Sequence, residues 1–570
     1  MNESKLLLIG INSKFIHSNL AIYSLKACCS DYSNHIVIKE YTINRPMQEI
    51  LADIYEEKPR MIAFSCYIWN IRLVYDLITE LVKILPDTDI WLGGPEVSFD
   101  CFDILNSHKE IRGIMSGEGE ITYALLAKSY VEYVDDAAML LRALNSIGGL
   151  YINGPKPVFT GERTCMNMDE LAFAYEDLSQ FENRIIYYET SRGCPFSCSY
   201  CLSSVEKKLR FKSLAKVYKE LTQFIDAKVK QVKFVDRTFN CSHEHAIGIW
   251  KFIKENDNGV TNFHFEISAD LLNDEELSIL TSMRPGLVQL EIGVQSVNDE
   301  TIAAINRTMN LEKLANAVSI LRKANNVHLH LDLIAGLPYE DRESFINSFN
   351  VVYSMNPEQL QLGFLKVLKG TEMECMANDF AVRRMSIPPY EVLSTKWLSY
   401  EDICELKAVE EMVELYYNSN QYRHILTYLE QAFASPYEMF RKLATFYSER
   451  GYTVMTPSRL YRYDVLLEFA NVSDPGKEEL YCELFTFDMY LRENLKSRPS
   501  FAREYPKMKD IMKNYKKTSE YHYELFSYPV WDENVEDMQA LSEDMLVRFD
   551  YRERSPLTND AVIKLMFCKD

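Results

Sequence analysis

The sequence predicts an α/β chain in three parts: a doubly wound parallel sheet over 1–145, a partial barrel of six βα units over 184–370 and a mostly helical domain over 371–570, with a hairpin and connector at 146–183. Three observations carry that prediction. Short apolar runs alternate with amphipathic helical stretches to about residue 133, the alternation resumes at Arg184, and beyond Gly370 it gives way to helical periodicity with dense Tyr and Phe. At 570 residues the chain exceeds one ordinary core, and at 47% apolar it can build several.

In the first part KLLLIGIN, HIVIKEYTI, RMIAFSCYI, DIWLGGPEVS and IRGIMSGEGE read as strands. Helices lie between them, among them Leu20 to Cys29 and Ile71 to Leu85, the latter apolar at Leu73, Leu77, Leu81 and Ile84. Such sheets bind ligands at the carboxyl ends of their strands. Ser65 and Cys66 follow the third strand, Gly93, Gly94, Pro95 and Glu96 the fourth, and Ser116, Gly117 and Glu118 open the run to Glu120 after the fifth. Each cluster by itself reads as a tight turn that needs glycine; three at successive strand ends point to a ligand crevice. His17, after the first strand, reads as a solvated or capping residue. Ile147 to Thr160 is a hairpin punctuated by Gly and Pro, and Gly161 to Asn183 an irregular connector.

The second part opens on the strand IIYYET and the loop SRGCPFSCSYCL, which sets Cys194, Cys198 and Cys201 in a C-x3-C-x2-C spacing. Three thiolates on one short loop can hold three irons of a [4Fe–4S] cluster and leave the fourth open. A structural zinc site wants a fourth Cys or His nearby, and the next cysteines, Cys165 and Cys241, keep no short ligand spacing with the loop, so zinc is the weaker reading. Gly193 and Pro195 flank the first cysteine, as a loop wrapped around a cluster requires, and Tyr200 precedes the third. At these residues the chain resembles the radical S-adenosylmethionine (SAM) superfamily, whose signature is C-x3-C-x-aromatic-C. The resemblance implies that SAM is chelated at the open iron and cleaved by one electron to a 5′-deoxyadenosyl radical.

Five more strands follow, ending near Asn240, Asp270, Ser296, Pro338 and Leu368, with helical stretches such as Leu214 to Val229 and Leu311 to Ala324 between strands. The rim they form carries Asp236, Arg237, Asn240, Glu266, Ser268, Asp270, Glu291, Gln295, Ser296 and Asp332, where chemistry is expected in a βα barrel. Ser296, ahead of NDETI, equally suits a helix cap. The run EIGVQSVNDETIAAINR with LDLIAGLP resembles the core of oxygen-independent coproporphyrinogen oxidase and its wider class. That resemblance implies SAM contacts at Tyr200, Asp236 (methionyl amine), Glu266 and Gln295 (ribose or carboxylate), and Gly336 with Pro338 (adenine). The first part, with GGPEVS and GEGE, resembles the cobalamin-binding, Rossmann-like domain that precedes the radical core in many relatives. Cobalamin is then implied at Ser65, Gly93, Gly94, Pro95, Glu96, Ser116, Gly117 and Glu118. The D-x-H-x-x-G motif is missing from this region, so cobalamin would bind without histidine axial ligation; HEHAIG at His243 lacks the Asp and lies in the barrel.

Beyond Gly370, Pro388 and Pro389 open a stretch in which Val392 to Trp397, Ile403 to Asn418 and Ile425 to Phe433 carry helical periodicity. It resembles uncharacterised C-terminal domains of cobalamin-binding radical enzymes. The formal charge of −21 opposes bulk nucleic acid and anionic lipid. No window is apolar enough to span a bilayer, the N-terminus reads as a strand and not a signal peptide, and 13 scattered cysteines suit a reducing, cytoplasmic compartment. The reading is an enzyme that takes a small-molecule or peptide substrate and an electron donor such as flavodoxin or ferredoxin, with methyl transfer to an unactivated carbon foremost. Its competitors are a cobalamin-independent radical oxidation, decarboxylation or cyclisation, and a non-catalytic iron–sulfur electron carrier.

Overall fold

The computed structural model describes residues 5–508, 510, 511, 515, 518–532 and 538–567. The chain divides into two compact units. The first comprises Met1–Gln289, Ile305–Thr308 and Leu365–Leu393; the second comprises Leu290–Ala304, Met309–Phe364 and Ser394–Asp570.

In the first unit β1 (Leu6–Asn12), β2 (Ile36–Thr42), β3 (Met61–Ser65), β4 (Asp89–Gly93), β5 (Gly113–Met115), β6 (Leu150–Ile152) and β7 (Val158–Phe159) form one sheet in the order β2-β1-β3-β4-β5-β6-β7. The first five strands run parallel. Every residue of β1 and β3 is buried, as continuous apolar strands covered on both faces must be. Leu7, Ile9, Ile62 and Phe64 pack toward the helix Ile71–Ile84, while Leu6, Leu8, Met61 and Trp91 pack toward the helix Glu120–Glu132. The expected hairpin is present as β6 and β7, and it adds two antiparallel strands to the sheet edge. Strand order reverses between β1 and β3, and that reversal opens a crevice at their carboxyl ends.

Six βα strands follow in the partial barrel. β8 (Ile186–Tyr188) leads into the short antiparallel pair β9 (Ser191–Arg192) and β10 (Arg210–Phe211), which brackets the cysteine loop. β11 (Gln231–Phe234) lies parallel between β8 and β12 (Asn262–Ile267) in the first unit. β13 (Val288–Gln295) crosses the division between units, and β14 (His328–Ala335) pairs in parallel with β15 (Gln359–Phe364) in the second. The helices Leu214–Asp226 and Leu311–Ala324 lie as expected, each started by a side-chain cap, Ser213 and Asn310.

One helical expectation is corrected. Val392 to Trp397 is not helical: Val392–Ser394 forms a strand, β17, paired with β16 (Arg383–Arg384). The helix starts only at Tyr400, where Ser399 and Asp402 make a reciprocal capping box. Helices Arg423–Leu429, Pro436–Glu449, Tyr461–Ser473 and Glu478–Arg492 then build an aromatic core in the second unit. Beyond them stands a sheet the sequence reading did not anticipate, the antiparallel β18 (Tyr521–Phe526), β19 (Met545–Arg554) and β20 (Ala561–Phe567). Among the described residues no helix is long and apolar enough to cross a membrane.

Candidate functional site

The cysteine loop is built by the chain around it. Gly193 has φ +89°, and a Cβ there would stand 2.6 Å from the carbonyl of Lys208, so the loop's return strand closes on a residue without a side chain. Cys194 N donates to the Glu206 carbonyl at 3.2 Å, and Cys201 N to the Cys198 carbonyl at 3.1 Å. Ser199 is clamped on both sides: its N–H donates to Ile305 O at 2.9 Å and its carbonyl accepts from Met373 N at 2.8 Å. Cys194 and Cys198 are buried and Cys201 is half-buried. Burial pushes the Cys198 thiol up, the Arg307 guanidinium pulls it down, and the thiols of Cys201 and Cys194 push it up again. Arg307 Nη1 lies 3.8 Å from Cys198 Sγ and 3.5 Å from Tyr200 Oη. Cys165 Sγ lies 3.8 Å from Glu206 Oε1.

Asp236 braces the base of the loop. It is buried, accepts from Thr190 Oγ1 and Ser191 Oγ, each at 2.6 Å, and takes Thr190 N–H at 3.0 Å. Burial pushes its carboxyl up to about 6 against those hydrogen bonds. The Thr190 hydroxyl, donating to Asp236, accepts from His245 Nε2 at 3.1 Å, and burial lowers His245 to about 4, so its ring is neutral at pH 7. Asn240 and Ser268 join the loops after β11 and β12 by a reciprocal pair, at 2.9 and 3.0 Å. Ser268 Oγ donates to Asp270 at 2.7 Å. Glu266 lies 4.0 Å from Lys233 Nζ.

In the second unit Gln295 ends β13 with φ +72°, a strained backbone for a residue with a side chain. It is buried, and its Oε1 finds no hydrogen-bond partner among the described residues. Ser296 accepts from Asn298 N at 3.1 Å and donates to the buried Glu340 at 2.6 Å, but it is not the helix cap: the helix Asp299–Ala304 is started by Asn298, whose Oδ1 accepts from Glu300 N at 2.9 Å. Gly336 has φ +90° at the end of β14, two residues before Pro338. Glu291 and Asp332 come together with His330, their ligand atoms within 4.8 Å of one another.

At the sheet crevice Ser65, Gly93, Gly94, Pro95, Ser116 and Gly117 stand at the ends of β3, β4 and β5. Gly94 (φ +110°) puts its backbone where a Cβ would be 2.6 Å from Cys66 O, whereas a Cβ on Gly117 would meet open space. The two carboxylates expected here are held by cations instead. Glu96 is buried, accepts from the Tyr390 hydroxyl and lies 3.4 Å from Lys369 Nζ. Burial pushes its carboxyl up, against Tyr390 and Lys369. Glu118 pairs with Arg192 at 3.2 Å and Arg210 at 2.6 Å and takes Met166 N–H at 2.9 Å. Arg192 also binds Glu120 and Glu189, so one guanidinium ties the strand before the cysteines to the loop after β5. His17 Nδ1 lies 2.8 Å from Tyr187 Oη.

Sequence reasoning did not single out Arg192, Arg307, Lys369, Tyr390 or Glu340, nor the Tyr67–Trp69 pair. These two rings stack at 4.3 Å and 6° beside β3, and Trp69 Nε1 reaches Ile11 O across the strand-order reversal at 3.0 Å. The signals available were an arginine inside SRGCP and another closing the EIGVQS run at Arg307.

A model described as B12 binding domain matches residues 6–127, one described as Radical SAM superfamily matches 188–352, and one described as Protein of unknown function (DUF4080) matches 378–553. Among curated proteins the chain is 23% identical to 2-(S-pantetheinyl)-carbapenam-3-carboxylate methyltransferase of Streptantibioticus cattleyicolor, over 72% of this chain and 64% of that protein. It is 25% identical to the cobalamin-dependent radical SAM methyltransferase TokK of Streptomyces tokunonensis, over 57% of this chain and 49% of that one. The chain thus spans less than two thirds of the length of either relative. Among the solved structures that share the fold are two with TM-scores above 0.5. One is OxsB, a cobalamin-dependent SAM radical enzyme with aqua-cobalamin bound: TM-score 0.58, 13% identity, 86% of this chain and 79% of that one. The other is the radical SAM methyltransferase TsrM of Kitasatospora setae with cobalamin and a [4Fe–4S] cluster bound: TM-score 0.54, 16% identity, 67% and 76%.

Proposed function

Because the chain belongs to the radical SAM superfamily and carries a B12-binding domain at its N-terminal end, we propose that it is a cobalamin-dependent radical SAM methyltransferase acting on an unactivated carbon. The observation that carries this reading is the cysteine loop, three thiols on one clamped turn, ion-paired at its base through Arg192 to the loop after β5.

The donor sets fit the groups they would take. Cys194, Cys198 and Cys201 offer soft thiolates on a short loop, suited to three irons of a [4Fe–4S] cluster. In the second unit Gln295 offers a buried amide oxygen that has no partner among the described residues, suited to a hydroxyl such as that of ribose, and Gly336 and Pro338 are the adenine candidates. In the first unit Tyr200 and Glu266 are the SAM candidates. Asp236 acts as a brace for the loop, since Thr190 and Ser191 already engage both its oxygens. The backbone of Ser65, Gly93, Gly94, Pro95, Ser116 and Gly117, with the flat Tyr67–Trp69 stack, gives cobalamin a cradle without a histidine ligand. Glu96 and Glu118 hold that cradle's loops through Lys369, Tyr390, Arg192 and Arg210.

When bound, the cluster supplies the electron that cleaves SAM, and cobalamin supplies the methyl group. The chain's own residues position the loop, bury it from water and keep charge paired around it. The substrate is a small molecule or peptide; TsrM has been solved with tryptophan. A flavodoxin or ferredoxin in the cytoplasm would deliver the electron.

The test is anaerobic purification from cells supplied with cobalamin, followed by iron, sulfide and cobalt analysis and a 5′-deoxyadenosine assay after dithionite. About four irons per chain, stoichiometric cobalt and nucleoside formation are expected, and Cys198→Ala should abolish cluster and nucleoside together. Nucleoside without cobalt would replace this reading by the cobalamin-independent one, and cleavage surviving Cys198→Ala would end it.

A further inference from the structure

Arg307 stands 109 positions from Cys198 in the sequence, yet its Nη1 lies within hydrogen-bonding reach of that sulfur at 3.8 Å. Its place is fixed by the two residues that precede it. Ile305 O accepts from Ser199 N at 2.9 Å, and the side chain of Asn306, a residue with φ +52°, donates to Glu372 at 3.0 Å. The same guanidinium reaches Tyr200 Oη at 3.5 Å, so it faces the middle and last turns of the cysteine loop together. Asp270 contributes negative charge to its surroundings.

A guanidinium is permanently charged and presents a rigid fork of donors. Hydrogen bonds to sulfur and net charge are two of the quantities that set the potential of an iron–sulfur centre, and groups that orient a ligand tune the metal it binds. We propose that Arg307 is a positioning residue for the iron–sulfur centre: it donates to the Cys198 thiolate and stabilises the one-electron-reduced state over the oxidised one. The inference rests on the reading that Cys194, Cys198 and Cys201 carry a [4Fe–4S] cluster. The step it affects is a single electron passing from an external reductant to the cluster, with no bond made or broken and no proton moved. The added negative charge is the charge that a fixed guanidinium next to a ligand sulfur stabilises.

The experiment is a redox titration of the anaerobically reconstituted full chain, with dithionite as reductant and the reduced cluster read by electron paramagnetic resonance, first without SAM. Wild type, Arg307→Lys, Arg307→Gln and Tyr200→Phe are compared after iron and sulfide analysis. Arg307→Gln is expected to load its cluster and to lower the equilibrium constant for reduction roughly tenfold, a shift of about 59 mV for one electron. Arg307→Lys, which keeps the charge without the fork, should fall between it and wild type, and Tyr200→Phe should titrate as wild type. If Arg307→Gln fails to load, the lysine variant decides: a lowered potential supports the proposal and a wild-type potential overturns it. A wild-type potential in Arg307→Gln overturns it, including when a difference emerges only on adding SAM, which would make the arginine a SAM contact alone. A wild-type chain that takes up no cluster would defeat the reading of the cysteines, an outcome separate from any result at Arg307.

Discussion

Arg192 reaches Glu118, Glu120 and Glu189 while its own side chain is only 14% exposed. Removing one partner of a buried ionic group costs about 3–5 kcal/mol, because the others keep their desolvation without their counter-charge. Arg192→Met should therefore lower the denaturation free energy of the first unit by an amount of that order, read by urea titration with fluorescence detection. The carboxylates give a pH signature. Burial raises Glu118, but Arg210, the Met166 N–H and Arg192 hold it below its ordinary 4.5. Glu40 is likewise raised by burial yet held below 4.5 by Arg184 and Tyr23. Both stay ionised in the fold where the unfolded chain takes up protons, so their contribution is full above about pH 4.5 and fades as pH falls through their depressed values. Glu340 behaves oppositely. Burial pushes it up to about 7 against Ser296 and Ser348, so it keeps its proton where the unfolded chain has lost it, and stability falls as pH rises from about 4.5 to about 7. Glu340→Gln should flatten that slope in denaturation midpoints taken at pH 5, 6, 7 and 8, and an unchanged slope would place the titrating group elsewhere. The three cysteines were legible because their ligand spacing is local. Arg192 and Arg307 were not, because their partners stand 72 and 109 residues away, and nothing in one sequence marks such a pairing.

Elements were legible where their pattern is local and strong. The buried strands β1 and β3 are continuous apolar runs, and the helix Leu311–Ala324 starts at a side-chain cap and ends on Asn325 at φ +49°. Val392–Ser394 misled because a short apolar run serves either periodicity and no start signal stands before Ser399. The antiparallel sheet β18–β20 escaped because its strands carry little period-two alternation: burial alternates only at the start of β18, and β19 buries its residues in adjacent pairs. Two glycine loops carry the most exacting local geometry. At Gly94 an added Cβ combines φ +110° with a 2.6 Å approach to Cys66 O, a strain on the order of 1–3 kcal/mol. Gly94→Ala should reduce cobalt retained per chain severalfold and leave iron content unchanged, while Gly193→Ala should do the reverse. Parallel loss of both metals in either variant would mean that the loops fail as one folding unit.

At the scale of the molecule, the first unit is assembled from three separated stretches of chain. The stretch Leu365–Leu393 supplies Lys369 and Tyr390 to Glu96, Met373 to the carbonyl of Ser199, and at Gly370 a bare backbone against which Phe99 packs, 2.2 Å from where a Cβ would stand. A fragment ending at residue 289 keeps all three cysteines but loses these ties. It should hold well under half the iron of the full chain after identical anaerobic reconstitution, whereas a fragment ending at 393 should recover much of the difference; equal iron in the two would show that the ties are dispensable. The clamp on Ser199 also sets an order of events in the cell. Met373 leaves the ribosome only after about two thirds of the 570 residues have been made, so the nascent cysteine loop stays unclosed while about 170 further residues are added. Delivery of iron and sulfide by the assembly machinery therefore belongs after translation of the barrel, when a finished loop can keep what it is given.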